Sequence, residues 1–352
     1  MDKIVSQKTI PWINALRAIC IVLVMFNHCE NYYGMKLAWL DAVCLPFYVN
    51  AFFFLSGYLL FWKQFSEPRI LEDTGQYLKG SGRTLLLNVL YRIAIPSVIF
   101  ALIEFFPKKL IKGEGVLVSD FLFETIGGCT YWFTSALVIA EIIFLLLLLT
   151  RTKCIWFYVL SAVALSSLGA YLSSSGFCFV QGSGSFPWQY KHGLICMTYL
   201  AMGGLYWKYE SVIRKIMRWW IVLPLACLYI AGSIAFKPYL YEGYMTSLGY
   251  IRPSGALWSV FASILLIELC RIIPQNKILT FIGQNSIGFY FMCGALPIVF
   301  SLLAHKCISG TSVWGLLIVY LACMVISYLV MKILTNWVPW LFDLRLLKRQ
   351  NS

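Results

Sequence analysis

Apolar runs close to twenty residues long recur along the whole 352-residue chain, and they restrict its fold more than any other feature. In hydrocarbon each backbone polar group without a hydrogen bond costs several kcal/mol, so a membrane-spanning chain must form helices or a closed barrel. Unbroken runs such as ALVIAEIIFLLLLLT (residues 136–150) lack the alternation of barrel strands. Only 12% of the residues are charged, about half the share of an ordinary soluble domain. The sequence therefore predicts an all-α, polytopic membrane helix bundle.

The apolar runs predict about ten membrane-spanning helices, at residues 12–29, 44–62, 84–106, 131–149, 154–172, 193–207, 219–236, 255–273, 280–303 and 313–334. If the N-terminus is cytoplasmic, the cytoplasmic segments carry 17 Lys and Arg residues and the outer loops carry 8. Cytoplasmic loops are usually enriched in Lys and Arg, so this distribution favours both termini inside. We expect an integral protein of the plasma (inner) membrane. The stretch PKKLIKGEG (residues 107–115) is basic on the predicted outer side, which leaves its orientation open.

The formal charge of +13 has a simple explanation, because basic cytoplasmic loops face anionic lipid headgroups. No basic soluble module is recognisable, so we expect membrane lipids and no nucleic acid as partners. The twelve cysteines form no C-x-x-C pair and have no regular spacing with His, which indicates neither a disulfide framework nor a zinc site. We interpret residues 1–352 as a single integral-membrane domain with no attached soluble domain and no metal. The sequence does not define the oligomeric state.

Two ionisable residues, Arg17 and His28, bracket an apolar stretch in the first predicted span. Eleven residues at about 100° each bring them back to nearly the same helix face, about 16 Å apart along the axis. An Arg inside a span costs from about 3 to over 10 kcal/mol unless it faces water, a polar cavity or an anion, so both residues are functional candidates. Alternatively, Arg17 snorkels to the cytoplasmic headgroups near Trp12, and His28 is a satisfied polar residue near the outer end.

The first two spans carry motifs that resemble those of the membrane-bound acyltransferase family 3. Its pattern (D/N)-x-LRG-x9-H is matched by Asn14, Leu16, Arg17 and His28, and its pattern FFxxSG(F/Y) by FFFLSGY at residues 52–58. Weaker matches follow at YRIAIP (91–96), YWFTSALV (131–138) and FIGQNSIGFYFMCG (281–294). Together these motifs cover nearly the whole chain in the family's order, and the span number agrees with the family's ten-helix unit.

The chain also departs from the family pattern. Ala18 stands where a Gly is usual, and Cys293 and Gly294 stand where the late helix usually has a His. Of the family's Arg-x-x-Arg pair only Arg92 is matched, because position 89 is Val. Arg83 could replace the missing arginine, although it is more simply a cytoplasmic anchor. The roles of the missing groups cannot be carried over.

The resemblance implies an O-acyltransferase that moves an acyl group from cytosolic acyl-CoA to a hydroxyl of a cell-envelope carbohydrate. Acetyl is the expected group, with succinyl as the alternative, and the acceptor would be lipid-linked or an exopolysaccharide. A neutral imidazole can serve as general base or as acyl carrier near pH 7, which makes His28 the catalytic candidate. Guanidinium groups bind phosphates through paired hydrogen bonds, so Arg17 and Arg92 are the candidates for binding acyl-CoA.

Three further polar or aromatic residues are weaker candidates. Glu141 lies deep in an apolar run and is the second catalytic candidate, because it could orient His28 or pair with Arg92. A structural interhelical contact is the alternative for Glu141 and the favoured role of Glu268. Ser56 and Trp132 are candidates for substrate binding. Ser56 with Gly57 also suits a close helix contact, and Trp132 also suits an interfacial anchor.

Other functional classes share several of these features. A transporter or flippase of a lipid-linked glycan would also have many spans with intramembrane Arg, His and Glu, although inverted repeats are not visible. A structural subunit of a polysaccharide synthase is a third possibility. The outer stretches 173–192 and 237–254, rich in Gly, Ser and aromatic residues, suit either sugar stacking or an interfacial aromatic belt.

Overall fold

The structure of the protein is a computed structural model that describes residues 10–65, 74–150, 152–179, 187–240, 253–274, 276–307 and 310–346. For residues 112, 237–240 and 253 only the backbone is described. Every regular element in these ranges is helical and none is a strand, which confirms the predicted all-α fold. Residues 180–186 and 241–252 of the two predicted outer stretches lie outside the described residues.

Fifteen α-helices occupy the described part of the chain. They are α1 (Pro11–Tyr33), α2 (Ala38–Cys44), α3 (Asn50–Phe65), α4 (Thr74–Lys79), α5 (Ser81–Val89), α6 (Ile95–Lys112), α7 (Val118–Glu124), α8 (Trp132–Leu148), α9 (Ile155–Ser174), α10 (Tyr190–Ile216), α11 (Trp219–Leu240), α12 (Pro253–Ile272), α13 (Lys277–Gln284), α14 (Ser286–Cys307) and α15 (Val313–Trp337). A π-helical turn (Leu90–Ala94) joins α5 to α6, and a short 3-10 turn (Pro339–Leu341) follows α15.

Each of the ten predicted spans overlaps at least one helix. In the described residues seven stretches are long and apolar enough to cross a membrane. They are Pro11–Tyr33, Thr74–Ile111, Ile155–Ser174, Trp219–Phe236, Ser254–Ile272, Ser286–Cys307 and Val313–Trp337. The other three predicted spans correspond to α8, an apolar helix of 17 residues, to α3, which has 16 residues, and to α10, which ends in basic residues. The chain is therefore a multi-pass helical membrane protein.

The span predicted at residues 280–303 is two helices, because α13 ends at Gln284 and α14 begins at Ser286. The side chain of Asn285, between them, donates a hydrogen bond to the carbonyl oxygen of Phe281 at 2.8 Å. Asn side chains that bind nearby backbone offer an alternative to the helical ladder. The apolar pattern continues on both sides of this break, so the prediction of one continuous span was wrong.

The helices form two compact units, each built from two segments of the chain. The first unit comprises Met1–Phe52 with Glu210–Met331, and the second comprises Phe53–Tyr209 with Lys332–Ser352. In the first unit α1 packs against α12, α13 and α14. Ala15, Ala18 and Cys29 on α1 are fully buried. Small side chains at helix contacts let backbones approach closely, which suits a central helix.

In the second unit α3 and α10 pack with their backbones in contact. A Cβ atom added at Gly57 would lie 1.8 Å from the carbonyl oxygen of Leu200, and one added at Gly203 would lie 1.9 Å from that of Phe54. Any side chain at these two positions would therefore separate the helices. This contact supports the structural interpretation of the Ser56–Gly57 pair.

Candidate functional site

The five sequence motifs gather into two groups, one in each unit. In the first unit a Cβ atom added at Gly283 would lie 2.0 Å from the carbonyl oxygen of Asn14, so the late motif packs directly on the first. In the second unit the rings of Phe53 and Phe133 meet edge to face at 5.3 Å. The Ser97 hydroxyl, which directly follows YRIAIP, donates to that of Thr134 at 2.9 Å. Distant motifs are thus brought together by buried contacts.

Arg17 and His28 both lie on α1, and both are half-buried. The helix is unbroken from Pro11 to Tyr33, so the separation of about 16 Å expected from helical rise applies. Trp12, considered above as a headgroup marker for Arg17, is buried, and the guanidinium carbon of Arg271 lies 4.5 Å from its ring centroid. The Trp12 ring therefore makes a cation–π contact with Arg271 inside the protein.

A network of polar side chains surrounds Asn27, the neighbour of His28. Its carbonyl oxygen accepts hydrogen bonds from Asn31 at 3.2 Å and from the Tyr48 hydroxyl at 3.4 Å, and its amide donates to Asp41 at 3.5 Å. The His28 ring stacks on Tyr32, with centroids 6.3 Å apart. This network was not predicted. Its signal in the sequence is NHCENYY, a polar ending to an apolar helix.

The loop after α1 folds back onto the end that carries His28. Gly34 ends the helix in the left-handed region with a φ of 77°. The carboxylate of Glu30, only 1% exposed, accepts a hydrogen bond from the backbone N–H of Leu37 at 2.7 Å. The Tyr229 hydroxyl donates to the Val43 carbonyl at 2.7 Å, which ties α2 to α11. These bonds fix α2, and with it Asp41, beside the last turns of α1.

Arg92 lies on the π-helical turn between α5 and α6, and 57% of its side chain is exposed. Its Nε atom is 3.7 Å from the Oδ2 atom of Asp343. The pairing of Arg92 with Glu141 is not found, because Asp343 is its carboxylate partner among the residues that the structure describes. Glu141 is half-buried on α8. Insertions of a π turn occur frequently at functional sites, which is consistent with a role for Arg92.

The Asp343 carboxylate is kept ionised by its neighbours. Partial burial alone would raise its pKa, but hydrogen bonds and charge from Arg345, together with the charge of Arg92, lower the pKa below its ordinary value. An acid that is stabilised by guanidinium groups stays charged at neutral pH. The two arginines and the aspartate therefore form a charged cluster with a net charge of about +1.

The two candidates for substrate binding lie on different helices of the second unit. Trp132 is the first residue of α8, and its ring is 5.6 Å from that of the buried His192, which was not predicted as a site residue. Ser56 is half-buried on α3. Among the described residues Ser56, Arg92 and Trp132 share no hydrogen bond, so the structure does not bring these candidates together directly.

Two further ion-pair clusters have structural roles. Arg271 is 2.6 Å from Glu210 and 3.6 Å from the buried Glu268, which supports the structural interpretation of Glu268. In the basic stretch 107–115, Lys109 lies about equally close to three carboxylates, and these belong to Glu114 at 3.0 Å, Asp120 at 3.2 Å and Glu124 at 3.2 Å. The charge of Lys109 is thus neutralised locally.

Comparison with known proteins identifies the family. The model of acyltransferase family 3, described as an acyltransferase domain, matches residues 10–332, which include all five motifs. Searches of curated proteins and of solved structures gave no match. A match of this extent, on a multi-pass helical chain, shows that the protein belongs to the membrane acyltransferases of family 3.

Proposed function

We propose that this protein is a plasma-membrane enzyme that transfers an acetyl group from cytosolic acetyl-CoA to a hydroxyl of a cell-envelope carbohydrate. Succinyl-CoA is the alternative donor, and both termini face the cytoplasm. The family match over residues 10–332 carries the proposal. Its support from the structure is that Arg17 and His28 occupy one unbroken helix.

In this proposal His28 handles the proton of the attacking hydroxyl. Neutral imidazole accepts that proton while the hydroxyl oxygen bonds to the thioester carbonyl carbon. The carbon–sulfur bond then breaks, and the leaving CoA sulfur takes the proton from the imidazolium. General base catalysis of this kind contributes about 10²- to 10⁴-fold. In the alternative two-step route, an imidazole nitrogen attacks the thioester carbonyl carbon and CoA leaves as a thiolate. The acceptor hydroxyl then displaces the imidazole from the acetyl group, and its proton ends on the CoA sulfur.

The length of α1 suits transfer from a cytosolic donor. Arg17 and His28 are about 16 Å apart along the helix, a distance comparable to the reach of an extended pantetheine arm. A guanidinium near the cytoplasmic end would bind the phosphates or the thioester oxygen of acyl-CoA. The base near the outer end would then lie beside an acceptor outside the cytoplasm. The polar network of Asn27 favours an acceptor rich in hydroxyl groups, because amides and carboxylates pair readily with hydroxyls.

The proposal is tested by transfer of labelled acetyl from acetyl-CoA into envelope glycan by membranes that contain the protein. We expect His28→Ala and Arg17→Ala, inserted at equal levels, each to lower transfer by at least about 100-fold. His305→Ala is the matched control, since His305 also lies near a helix end of the first unit. Absence of label with both acetyl-CoA and succinyl-CoA, or label that is insensitive to both changes, would favour glycan transport instead.

A further inference from the structure

The C-terminal segment brings a second guanidinium group to Arg92. The Arg345 Nε atom donates to the Oδ1 atom of Asp343 at 2.7 Å, and its terminal nitrogens donate to Asp343 and to the side-chain oxygen of Asn88. The Nε atom of Arg92 is 3.7 Å from the other oxygen of the same carboxylate. Two arginines from distant parts of the chain therefore share one aspartate.

The C-terminal segment (residues 338–346) is attached to this part of the second unit by contacts that do not involve Arg345. The backbone N–H of Leu344 donates to the carbonyl oxygen of Tyr91 at 3.4 Å. The ring of Phe342 stacks on that of Phe100, with centroids 5.5 Å apart and an interplanar angle of 26°. Docking of the segment thus has an apolar contact and a backbone bond of its own, which makes a purely structural explanation of Arg345 incomplete.

Arg345 contacts α5 at the residue next to the position where the chain lacks an arginine. The resembled pattern has a second arginine three residues before Arg92, and Val89 stands there. The guanidinium of Arg345 binds the side chain of the adjacent residue, Asn88. Arg83, the other candidate for this role, is exposed on α5 and makes no contact with Arg92 among the described residues.

The exposure of the cluster leaves room for a ligand. The side chains of Arg92 and Arg345 are 57% and 40% exposed, whereas that of Asp343 is 20% exposed. The shortest approach of Arg92 to Asp343 is 3.7 Å, from Nε, which is longer than a hydrogen bond, so this carboxylate does not take up the hydrogen-bonding capacity of the Arg92 guanidinium. Guanidinium groups bind phosphate oxygens with paired, parallel hydrogen bonds. The carboxylate between the two cations reduces their mutual repulsion and holds Arg345 in position.

We propose that Arg345 and Arg92 together bind a phosphate group of the acyl-CoA donor, with Asp343 as the residue that positions them. The inference rests on the proposed acyl-CoA-dependent function, and it adds a C-terminal residue that lies beyond the matched family region. Anionic lipid headgroups offer the same phosphate chemistry. The experiment therefore has to separate a soluble donor from a lipid.

The first arm measures acetyl transfer by the full-length protein in membranes, with acetyl-CoA and envelope polysaccharide varied in turn. Arg345→Ala is expected to raise the acetyl-CoA concentration for half-maximal transfer about tenfold and to leave that of the polysaccharide within about twofold. Arg345→Lys restores the charge without the paired geometry and should recover part of the effect. Arg83→Ala is the matched control, with a change below about twofold. Equal shifts for donor and acceptor, or no shift, would overturn the inference.

The second arm measures binding of labelled CoA to the purified protein in vesicles of phosphatidylcholine alone and of phosphatidylcholine with phosphatidylglycerol. We expect Arg345→Ala to weaken CoA binding about tenfold in both. An effect of Arg345 that requires phosphatidylglycerol would identify a lipid ligand and overturn the inference. Arg345-dependent CoA binding without any acetyl transfer would refute the proposed function but keep the site. If the wild type transfers acetyl but Arg345→Ala binds CoA as tightly as the wild type, the proposed phosphate site is refuted and the proposed function is kept.

Discussion

The polar groups beside His28 and those around Arg92 are assembled in different ways. Asn27 finds its partners 4, 14 and 21 positions along the chain, all within α1, α2 and the turn that precedes α3. The cluster of Arg92 depends on Arg345, which contacts Asn88 across 257 positions. The first network is local and forms with its own helix, whereas the second forms only when the C-terminal segment docks. Changes in the C-terminal segment should therefore affect the binding of acetyl-CoA and leave the network beside His28 intact.

Removal of residues 342–352 is expected to separate the two regions most strongly. This deletion takes away Asp343, Arg345 and the ring that stacks on Phe100, so we expect the acetyl-CoA concentration for half-maximal transfer to rise about 30-fold, equivalent to about 2 kcal/mol. The polysaccharide concentration for half-maximal transfer should stay within about twofold of the wild-type value. Deletion of residues 347–352 alone is the control and should behave like the wild type. Equal effects of the two deletions would contradict the role of the cluster.

A smaller and opposite pattern is expected from Asn27→Ala. The change removes the group that joins Asp41 and Tyr48 to the last turns of α1, so we expect acetyl transfer to fall about tenfold. The acetyl-CoA concentration for half-maximal transfer should not change, because the partners of Asn27 among the described residues are Asn31, Asp41 and Tyr48, none of which belongs to the cluster of Arg92. The kinetics of Asn31→Ala, which loses one exposed hydrogen bond, provide the comparison and should change less than about threefold. A raised acetyl-CoA requirement in Asn27→Ala would break the distinction.

Glu30→Ala tests whether the local network needs its folded loop. The change leaves the N–H of Leu37 without its buried carboxylate acceptor, at a cost of about 1–3 kcal/mol. We expect the thermal midpoint of the purified protein to fall by about 2–4 °C for each kcal/mol lost. Glu30→Gln retains an acceptor oxygen and should fall less. Identical midpoints for both variants would show that the bond to Leu37 contributes nothing.

The smallest effect is the pH dependence of the Asp343 contribution. Because the pKa of Asp343 is lowered in the folded protein, its stabilising effect is present above its unfolded pKa and is lost as the pH falls through the folded pKa. The difference in thermal midpoint between wild type and Asp343→Asn should thus be constant from about pH 8 to pH 5 and shrink below about pH 4. Because Asp343 is partly exposed, its ionised carboxylate contributes about 1 kcal/mol or less to the free energy of unfolding. A difference that already shrinks between about pH 7 and pH 5 would contradict the lowered pKa.

The same contrast explains how much could be predicted from the sequence. Apolar length and hydropathy are local, so every predicted span overlaps one or more helices. Arg17 and His28 could be named as candidates because both interrupt one apolar run. The break at Asn285 was missed because it depends on a side-chain bond rather than on hydropathy. The partnership of Asp343 with Arg92 had no local pattern at all, since only tertiary folding brings the two residues together.

The most direct test of the account is the sidedness of acetyl transfer. Inverted membrane vesicles, which expose the cytoplasmic face, and right-side-out vesicles are supplied with external labelled acetyl-CoA, with wild-type and His28→Ala protein at equal levels. The account predicts labelled glycan only from inverted vesicles and only with His28 present. Equal labelling from right-side-out vesicles, or labelling that persists in His28→Ala, would contradict a cytosolic donor acting through a base at position 28.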